Sequence, residues 1–475
     1  MVASEATPFA KSGGLADVLG SLPPALARLG DEVAVLIPRY RSVPLPAGGP
    51  ILTFPVSLGP RRFDVAIFQT ERQGVRYFFA DCPPLYDRPA LYGEAGVDYP
   101  DNHIRYAVLN WAAIRVARFL FRPTVIHAHD WQTGMLFVYL RENLASDPTF
   151  SGIRLVFTIH NLGYQGNFPP AAAADIGVNP ALIHPEGMEF FGQLSFMKAG
   201  IVWSDAVNTV SPTYAREIQT PEFGFGMDGL LRSRASKLSG ILNGVDYQTW
   251  DPETDQYLPT HYSMLDLSGK RACKKTLLED AGLPLDSDRP VLGIVSRFAD
   301  QKGMDLVVEV ASRANSPMEN ASLVVLGSGD PALETEFLDL AKAHPDRISV
   351  RIGYDDQFAH RIEAGADIFL MPSRYEPCGL NQIYSLRYGT VPVVRATGGL
   401  QDTVDLNTGF KFAGLASAGL SGAIAAALAA YEDRAKWTER VRRGMAKDFS
   451  WEASATEYRN LYHRPLASSR PVFAS

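Results

Sequence analysis

Two cations open the chemistry of this chain. Arg297 and Lys302 stand in Ser296-Arg297-Phe298-Ala299-Asp300-Gln301-Lys302-Gly303, just after the apolar run Val291-Leu292-Gly293-Ile294-Val295. A guanidinium fork beside a compact ammonium suits a diphosphate. In a transfer reaction the pair would stabilise charge developing on a phosphate leaving group. A plain surface pair at a helix start competes with this, but helix N-termini disfavour cations. A second cluster, Glu376-Pro377-Cys378-Gly379-Leu380-Asn381, leads into a helical pattern over residues 382–388. The free amides of such a start attract anions, and Glu376 could accept hydrogen bonds from sugar hydroxyls. A simple cap by Asn381 or Glu376 fits the same residues. Cys378 has no His beside it and reads as packing rather than as a nucleophile.

His127, His129 and Asp130 are metal ligands by type, and residues i and i+2 of a strand share a face. No second His/Cys/Asp cluster has ligand spacing, so polar lining of a crevice is the better reading. A D-x-D triplet, Asp286-Ser287-Asp288, precedes the strand that ends before Arg297. That puts it at the amino end, away from the crevice, as a solvated loop. No metal is therefore expected, and diphosphate charge falls to Arg297, Lys302 and backbone amides. Tyr354, after Gly353, could stack on a base or pack in the core. The loop over residues 91–102, with Tyr92, offers aromatic faces to sugar rings or has no special role.

One short pattern occurs twice: Ser12-Gly13-Gly14-Leu15-Ala16-Asp17 and Thr397-Gly398-Gly399-Leu400-Gln401-Asp402. Paired glycines let backbone amides approach a ligand, and the Asp falls in the first turn of a following helix. Two copies suggest two similar lobes facing a shared cleft.

The elements that must hold these residues are short β-branched runs alternating with helical patterns such as residues 304–314 and 333–344. The runs at 124–126, 155–159, 291–295, 323–326, 368–371 and 391–394 are continuously apolar, as in parallel sheets buried on both faces. Alternation of strand and helix predicts doubly wound α/β domains. In such folds ligands sit beyond the carboxyl ends of strands. The segments following the runs are polar: His127 to Asp130, His160-Asn161, Asn243, Ser296-Arg297, Gly353-Tyr354 and Ser373 to Glu376. Six polar ends together predict a binding crevice. The predicted domains are residues 1–246 and 247–450, with 247–268 as a polar, turn-rich connection. A helix in 451–475 is expected to cross back to the first domain.

The chain's 475 residues suffice for several cores, and 46% apolar with 20% charged residues fits a soluble globular protein. A net charge of −7 without a basic run argues against nucleic acid. Three cysteines form no disulfide framework and fit a reducing compartment. No signal peptide or membrane span is read, so a cytoplasmic location is expected.

At this point the motifs are similar to those of bacterial glycogen synthases of the starch synthase type, retaining glycosyltransferases of the GT-B fold. The resemblance covers essentially the whole length. It is carried by Lys11-Ser12-Gly13-Gly14-Leu15-Ala16-Asp17-Val18, His127-Ala128-His129-Asp130-Trp131, Thr158-Ile159-His160-Asn161-Leu162, Ile241-Leu242-Asn243-Gly244-Val245-Asp246, Ser296-Arg297 with Gln301-Lys302-Gly303, Pro372 to Leu380, and Thr397 to Val404. The resemblance implies transfer of glucose from ADP-glucose to the non-reducing end of an α-1,4-glucan, with ADP released and no cofactor. It implies that Lys11 and Gly14 close on the donor and that Arg297 and Lys302 hold its diphosphate. Glu376, Asp130, His160 and Asn243 would line the glucose pocket. The amides of Gly379, Leu380 and Asn381, beside Cys378, would cap the distal phosphate, and Tyr354 would stack near adenine. Tyr92 is placed at the acceptor. No carboxylate nucleophile stands out, so retention is assigned to a same-face mechanism in which the leaving phosphate takes the acceptor's proton. The His160 carbonyl would then face the oxocarbenium-like centre.

Three departures bear on this. Ser12 stands where many relatives have Thr, which keeps the hydroxyl. Tyr384 stands where many related transferases have a second Glu, which favours the glycogen synthase branch. The first strand, matching Val2-Ala3-Ser4-Glu5, is cut short, so either that strand is short or the true start lies upstream. A phosphorylase-like or sucrose-synthase-like enzyme and a non-catalytic glucan-binding scaffold are the alternatives. Of the first, a phosphorylase would need a lysine-bound pyridoxal phosphate. The second is disfavoured by the intact Lys11, Arg297, Lys302 and Glu376.

Overall fold

The computed structural model describes residues 1–94, 96–286 and 288–464. The chain forms two compact units: Met1–Val210 with Ala215–Gly244 and Trp451–Ser475, and Ser211–Tyr214 with Val245–Ser450. Residues 465–475 of the predicted C-terminal segment lie outside the described residues.

The first unit carries strands β1 (Val33–Pro38), β2 (Leu52–Leu58), β3 (Arg61–Arg72), β4 (Val75–Asp81), β5 (Val125–His129), β6 (Arg154–Ile159), β7 (Ala206–Thr209) and β8 (Leu238–Gly240). They make two ladders, β1-β4-β3-β2 and β8-β7-β6-β5. Val2 makes parallel bridges to both Leu36 and Ala128, which makes it the seam between the two ladders. Not all pairing is parallel. β2, β3 and β4 form an antiparallel meander, and β2 alternates Leu52, Phe54, Val56 and Leu58 with Thr53, Pro55 and Ser57, the signature of a half-buried strand. Helix α1 (Gly14–Arg28) starts inside the first Gly-Gly motif, and α2 (Trp451–His463) returns to this unit. There Arg459 pairs with Asp31, and Ser454 donates to the Leu242 carbonyl at 2.7 Å.

The second unit has six strands, β9 (Val291–Phe298), β10 (Ser322–Gly329), β11 (Ile348–Ile352), β12 (Ile368–Met371), β13 (Val391–Arg395) and β14 (Phe410–Phe412). All pairs are parallel, in the order β11-β10-β9-β12-β13-β14. This is the doubly wound order, with its switch point between β9 and β12. Alternate residues feed two cores. Leu292, Ile294, Leu323, Val325, Ile368, Leu370, Val391 and Val393 enter one. Val291, Val324, Leu326, Phe369, Met371 and Val394 enter the other. Period-two alternation between two apolar layers is why these strands read as unbroken apolar runs.

Two expectations are corrected here. Residues 247–268 are no mere connection: Trp250 stacks between His360 and Tyr384, with ring centroids 3.6 and 4.0 Å away. Tyr262 is buried, and its hydroxyl donates to the Tyr388 carbonyl at 2.8 Å. Aromatic anchors scattered among turn residues carry no periodicity. Likewise His127, His129 and Arg297 lie within β5 and β9, not beyond them.

A buried acid in this unit sets a pH dependence. Glu363 accepts a 2.6 Å hydrogen bond from Ser385, its other oxygen has no partner among the described residues, and burial pushes it up to about 8. The folded state therefore holds a proton that the unfolded chain releases near its ordinary value. The stability this contributes is complete below that value and is lost as pH rises through about 8. Glu363→Gln is expected to melt several degrees above wild type at mildly alkaline pH, with the gap closing at mildly acidic pH. Melting curves across that range check it, and a pH-independent gap would contradict the buried proton.

Candidate active site

In the second unit, residues at the switch point form one cluster. Gly303 adopts φ 63°, and a Cβ there would lie 2.3 Å from the Pro372 carbonyl oxygen, so the loop after β9 runs tight against the chain leaving β12. Arg374 ties the two loops. Its amide donates to the Gln301 carbonyl at 2.8 Å, and its guanidinium grips Asp305 at 2.7 and 2.6 Å, which holds Asp305 below the usual carboxylate range. Lys302 Nζ then reaches Glu376 Oε2 at 2.6 Å, and Ser373 Oγ donates to the same oxygen at 3.0 Å. Glu376 is 5% exposed. Arg297 is exposed and has no ion-pair partner among the described residues. Its charge is available, whereas that of Lys302 is compensated by Glu376.

The loop after Glu376 is built to leave amides open. Gln382 donates to the carbonyls of Cys378 and Gly379 at 3.0 and 3.1 Å, and Asn381 Nδ2 to the Val295 carbonyl at 2.8 Å. The Asn381–Arg387 helix has no side-chain cap on its leading amides. Cys378 is buried and in no disulfide among the described residues. Tyr354 stands apart at the end of edge strand β11, 83% exposed, its hydroxyl bonded to Asp356 at 3.0 Å.

The second Gly-Gly copy belongs to this cluster as a support. A Cβ on Gly398 would lie 1.8 Å from the Glu376 carbonyl oxygen, and one on Gly399 2.0 Å from that of Cys378. Asp402 accepts from the amide and hydroxyl of Thr213 at 2.7 and 2.6 Å. These glycines seat the Glu376 loop.

The first unit gathers Asp130, His160 and Asn243 at the strand ends, with the first Gly-Gly copy. Asp130 holds φ 58° and ψ 177°, a conformation that costs a non-glycine residue and is found where function over-determines it. Its carboxylate accepts the His160 amide at 2.7 Å. Burial pushes it up to about 7, against the pull of that bond and of the Asn161 amide. The Asn243 side-chain oxygen is buried without a partner among the described residues. Lys11 pairs with Asp17 of its own motif at 2.7 Å while half exposed. A Cβ on Gly14 would meet nothing within 4 Å. Tyr92 bonds Ser4 through its hydroxyl at 2.8 Å, and its carbonyl accepts from Asn102.

Glu5 was missed by sequence reasoning. It is 3% exposed, accepts the Ser12 amide at 2.5 Å and is pushed up to about 7 by burial. It tethers the first Gly-Gly turn. The strand-end rule that flagged the other polar residues was not applied to it, because the segment Val2 to Glu5 carries too few apolar residues to read as a full apolar run. Among the described residues no group of three or more His, Cys, Asp or Glu side chains is arranged to hold a metal, and no helix is long and apolar enough to cross a membrane.

Known proteins match the whole chain. The starch synthase catalytic domain family matches residues 1–233, and glycosyl transferases group 1 matches 278–444. A glycogen synthase of Anaeromyxobacter dehalogenans (strain 2CP-C) is 50% identical over 98% of this chain and 99% of its own. One of Koribacter versatilis (strain Ellin345) is 46% identical over 99% and 98%. Among solved structures, the catalytic domain of starch synthase IV from Arabidopsis thaliana, bound to ADP and acarbose, is 32% identical over 98% of each chain with a TM-score of 0.88. With this identity along the full length and a GT-B architecture, the chain belongs to the glycogen synthase family of glucosyltransferases.

Proposed function

We propose that the chain transfers glucose from ADP-glucose to the non-reducing end of an α-1,4-glucan such as glycogen, with retention of configuration and release of ADP, in the cytoplasm. The observation that carries this is the switch-point cluster: an exposed Arg297 with no ion-pair partner among the described residues, a Lys302 held by Glu376, and helix-start amides without a side-chain cap. The ADP in the Arabidopsis relative's structure supports the base.

In this reading Arg297 and Lys302 take the diphosphate, and the amides of Gly379, Leu380 and Asn381 take its distal end. Lys302 exchanges Glu376 for phosphate, which frees the Glu376 carboxylate to accept from glucose hydroxyls. Asp130, His160 and Asn243 hold the sugar, Lys11 and Gly14 meet the donor, Tyr354 meets adenine and Tyr92 the acceptor. His160 is pushed down to about 3 by burial, so its ring is neutral; its backbone carbonyl is the group offered to the anomeric centre. The leaving phosphate accepts the proton of the attacking hydroxyl.

Incubation with glycogen and either ADP-glucose or UDP-glucose, following released nucleoside diphosphate with EDTA present, tests donor and metal independence together. Glycogen-dependent ADP release, with kcat/KM at least tenfold above that for UDP-glucose, is expected. Equal use of both donors would overturn the base assignment, and loss of turnover restored only by a divalent cation would overturn the cation-and-amide account.

A further inference from the structure

Three imidazoles of the first unit stand in a row. His127 and His129 share one face of β5, with ring centroids 4.0 Å apart. Both nitrogens of His127 are engaged, Nε2 with Thr158 Oγ1 at 2.7 Å and Nδ1 with the Tyr462 hydroxyl at 2.9 Å. His129 Nδ1 lies 3.0 Å from His160 Nε2. His129 Nε2 is sealed from solvent and has no hydrogen-bond partner among the described residues. Burial holds all three rings well below the usual imidazole range, so each carries a single ring proton at neutral pH.

One proton therefore sits between His129 and His160. If His160 supplies it, His129 must keep its own proton on Nε2, leaving a buried N–H without an acceptor. If His129 supplies it from Nδ1, its Nε2 is a bare lone pair. Buried orphan N–H groups are rarer than under-satisfied acceptors, so the second arrangement wins. His160 then accepts at Nε2 and carries its proton on Nδ1, which is engaged by no described residue and is not among the sealed atoms.

We propose that His129 is a positioning residue that fixes His160 as the Nδ1–H tautomer, so that His160 meets its ligand as a hydrogen-bond donor to an oxygen. His127, pinned at both nitrogens, packs its tilted ring against His129 and holds the plane from which His129 donates. A sugar hydroxyl is the oxygen this donor suits, so the functional half rests on the placement of His160 at the glucose.

The tautomer can be read without substrate. In protein labelled with 15N-histidine, long-range 1H–15N correlation spectra at neutral pH, assigned with His160→Gln, distinguish the two ring forms. Wild type is expected to show His160 protonated at Nδ1. His129→Leu is expected to move it to Nε2–H or to a mixture and to lower kcat about tenfold, the equivalent of one hydrogen bond. His129→Asn places an amide donor where Nδ1 was and is expected to restore both. Protonation at Nε2 in wild type overturns the tautomer while leaving the reading of the site intact. A shifted tautomer in His129→Leu with wild-type turnover overturns the placement of His160 at the sugar.

Discussion

Lys302→Ala is expected to lower turnover by roughly 10²–10³-fold, the usual cost of removing one fixed charge-stabilising donor, and to lower stability as well. Glu376→Ala is expected to match it in turnover and to cost less stability. The asymmetry follows from exposure. Removing Lys302 strands a carboxylate whose side chain is 6% exposed, with Ser373 as its remaining described hydrogen-bond donor. Leaving a buried acceptor short of partners costs about 1–3 kcal/mol, more when it is charged. Removing Glu376 frees an ammonium whose side chain is 19% exposed and which water can reach. Steady-state kinetics with paired melting curves test both halves. Near-wild-type turnover in either variant would falsify the pocket assignment. Equal loss of stability would contradict the burial argument.

Gly399→Ala and Gly14→Ala are expected to fail in opposite ways, although they occupy matching places in the repeated motif. The new Cβ at 399 would press on backbone, 2.0 Å from Cys378 O and 2.5 Å from its Cα. No side chain can rotate away, so the loop carrying Glu376 must move. Overpacking of this kind costs about 1–3 kcal/mol or more, and stability and turnover should fall together. At Gly14 a Cβ meets nothing, and Ala is the better helix former by about 1 kcal/mol. That variant should melt at or above the wild-type temperature, yet on the proposed donor role of Gly14 its kcat/KM for donor should fall at least tenfold, the added methyl standing in the ligand's way. Full activity in Gly14→Ala would remove the first motif from the donor.

The doubly wound sheet was legible because its strands are apolar on both faces. Leu323 to Leu326 can be read as a buried strand without knowing which core each residue enters. The polar residues at the strand ends were legible for the complementary reason, since polar groups following apolar runs need a purpose. What escaped depends on distance along the chain or on backbone shape. Lys302 and Glu376 were each named, but their pairing spans 74 positions. The strain at Asp130 is a property of φ and leaves no mark in residue type. Glu5 hid because its strand is reduced to the bridges of Val2. The meander of β2 to β4 was visible as alternation, yet the dominant parallel pattern drew attention from it.

The return of α2 to the first unit has a consequence for biosynthesis. Tyr462 completes the partners of His127, Tyr458 accepts from Asn208, and a Cβ on Gly244 would press on Trp451. All of these groups belong to a unit whose remaining residues leave the ribosome before position 245. That unit must wait, with its imidazole row open on one side, while Val245–Ser450 of the second unit are translated. His127 acquires its final surroundings last, so completion of the imidazole row reports that translation has passed residue 463.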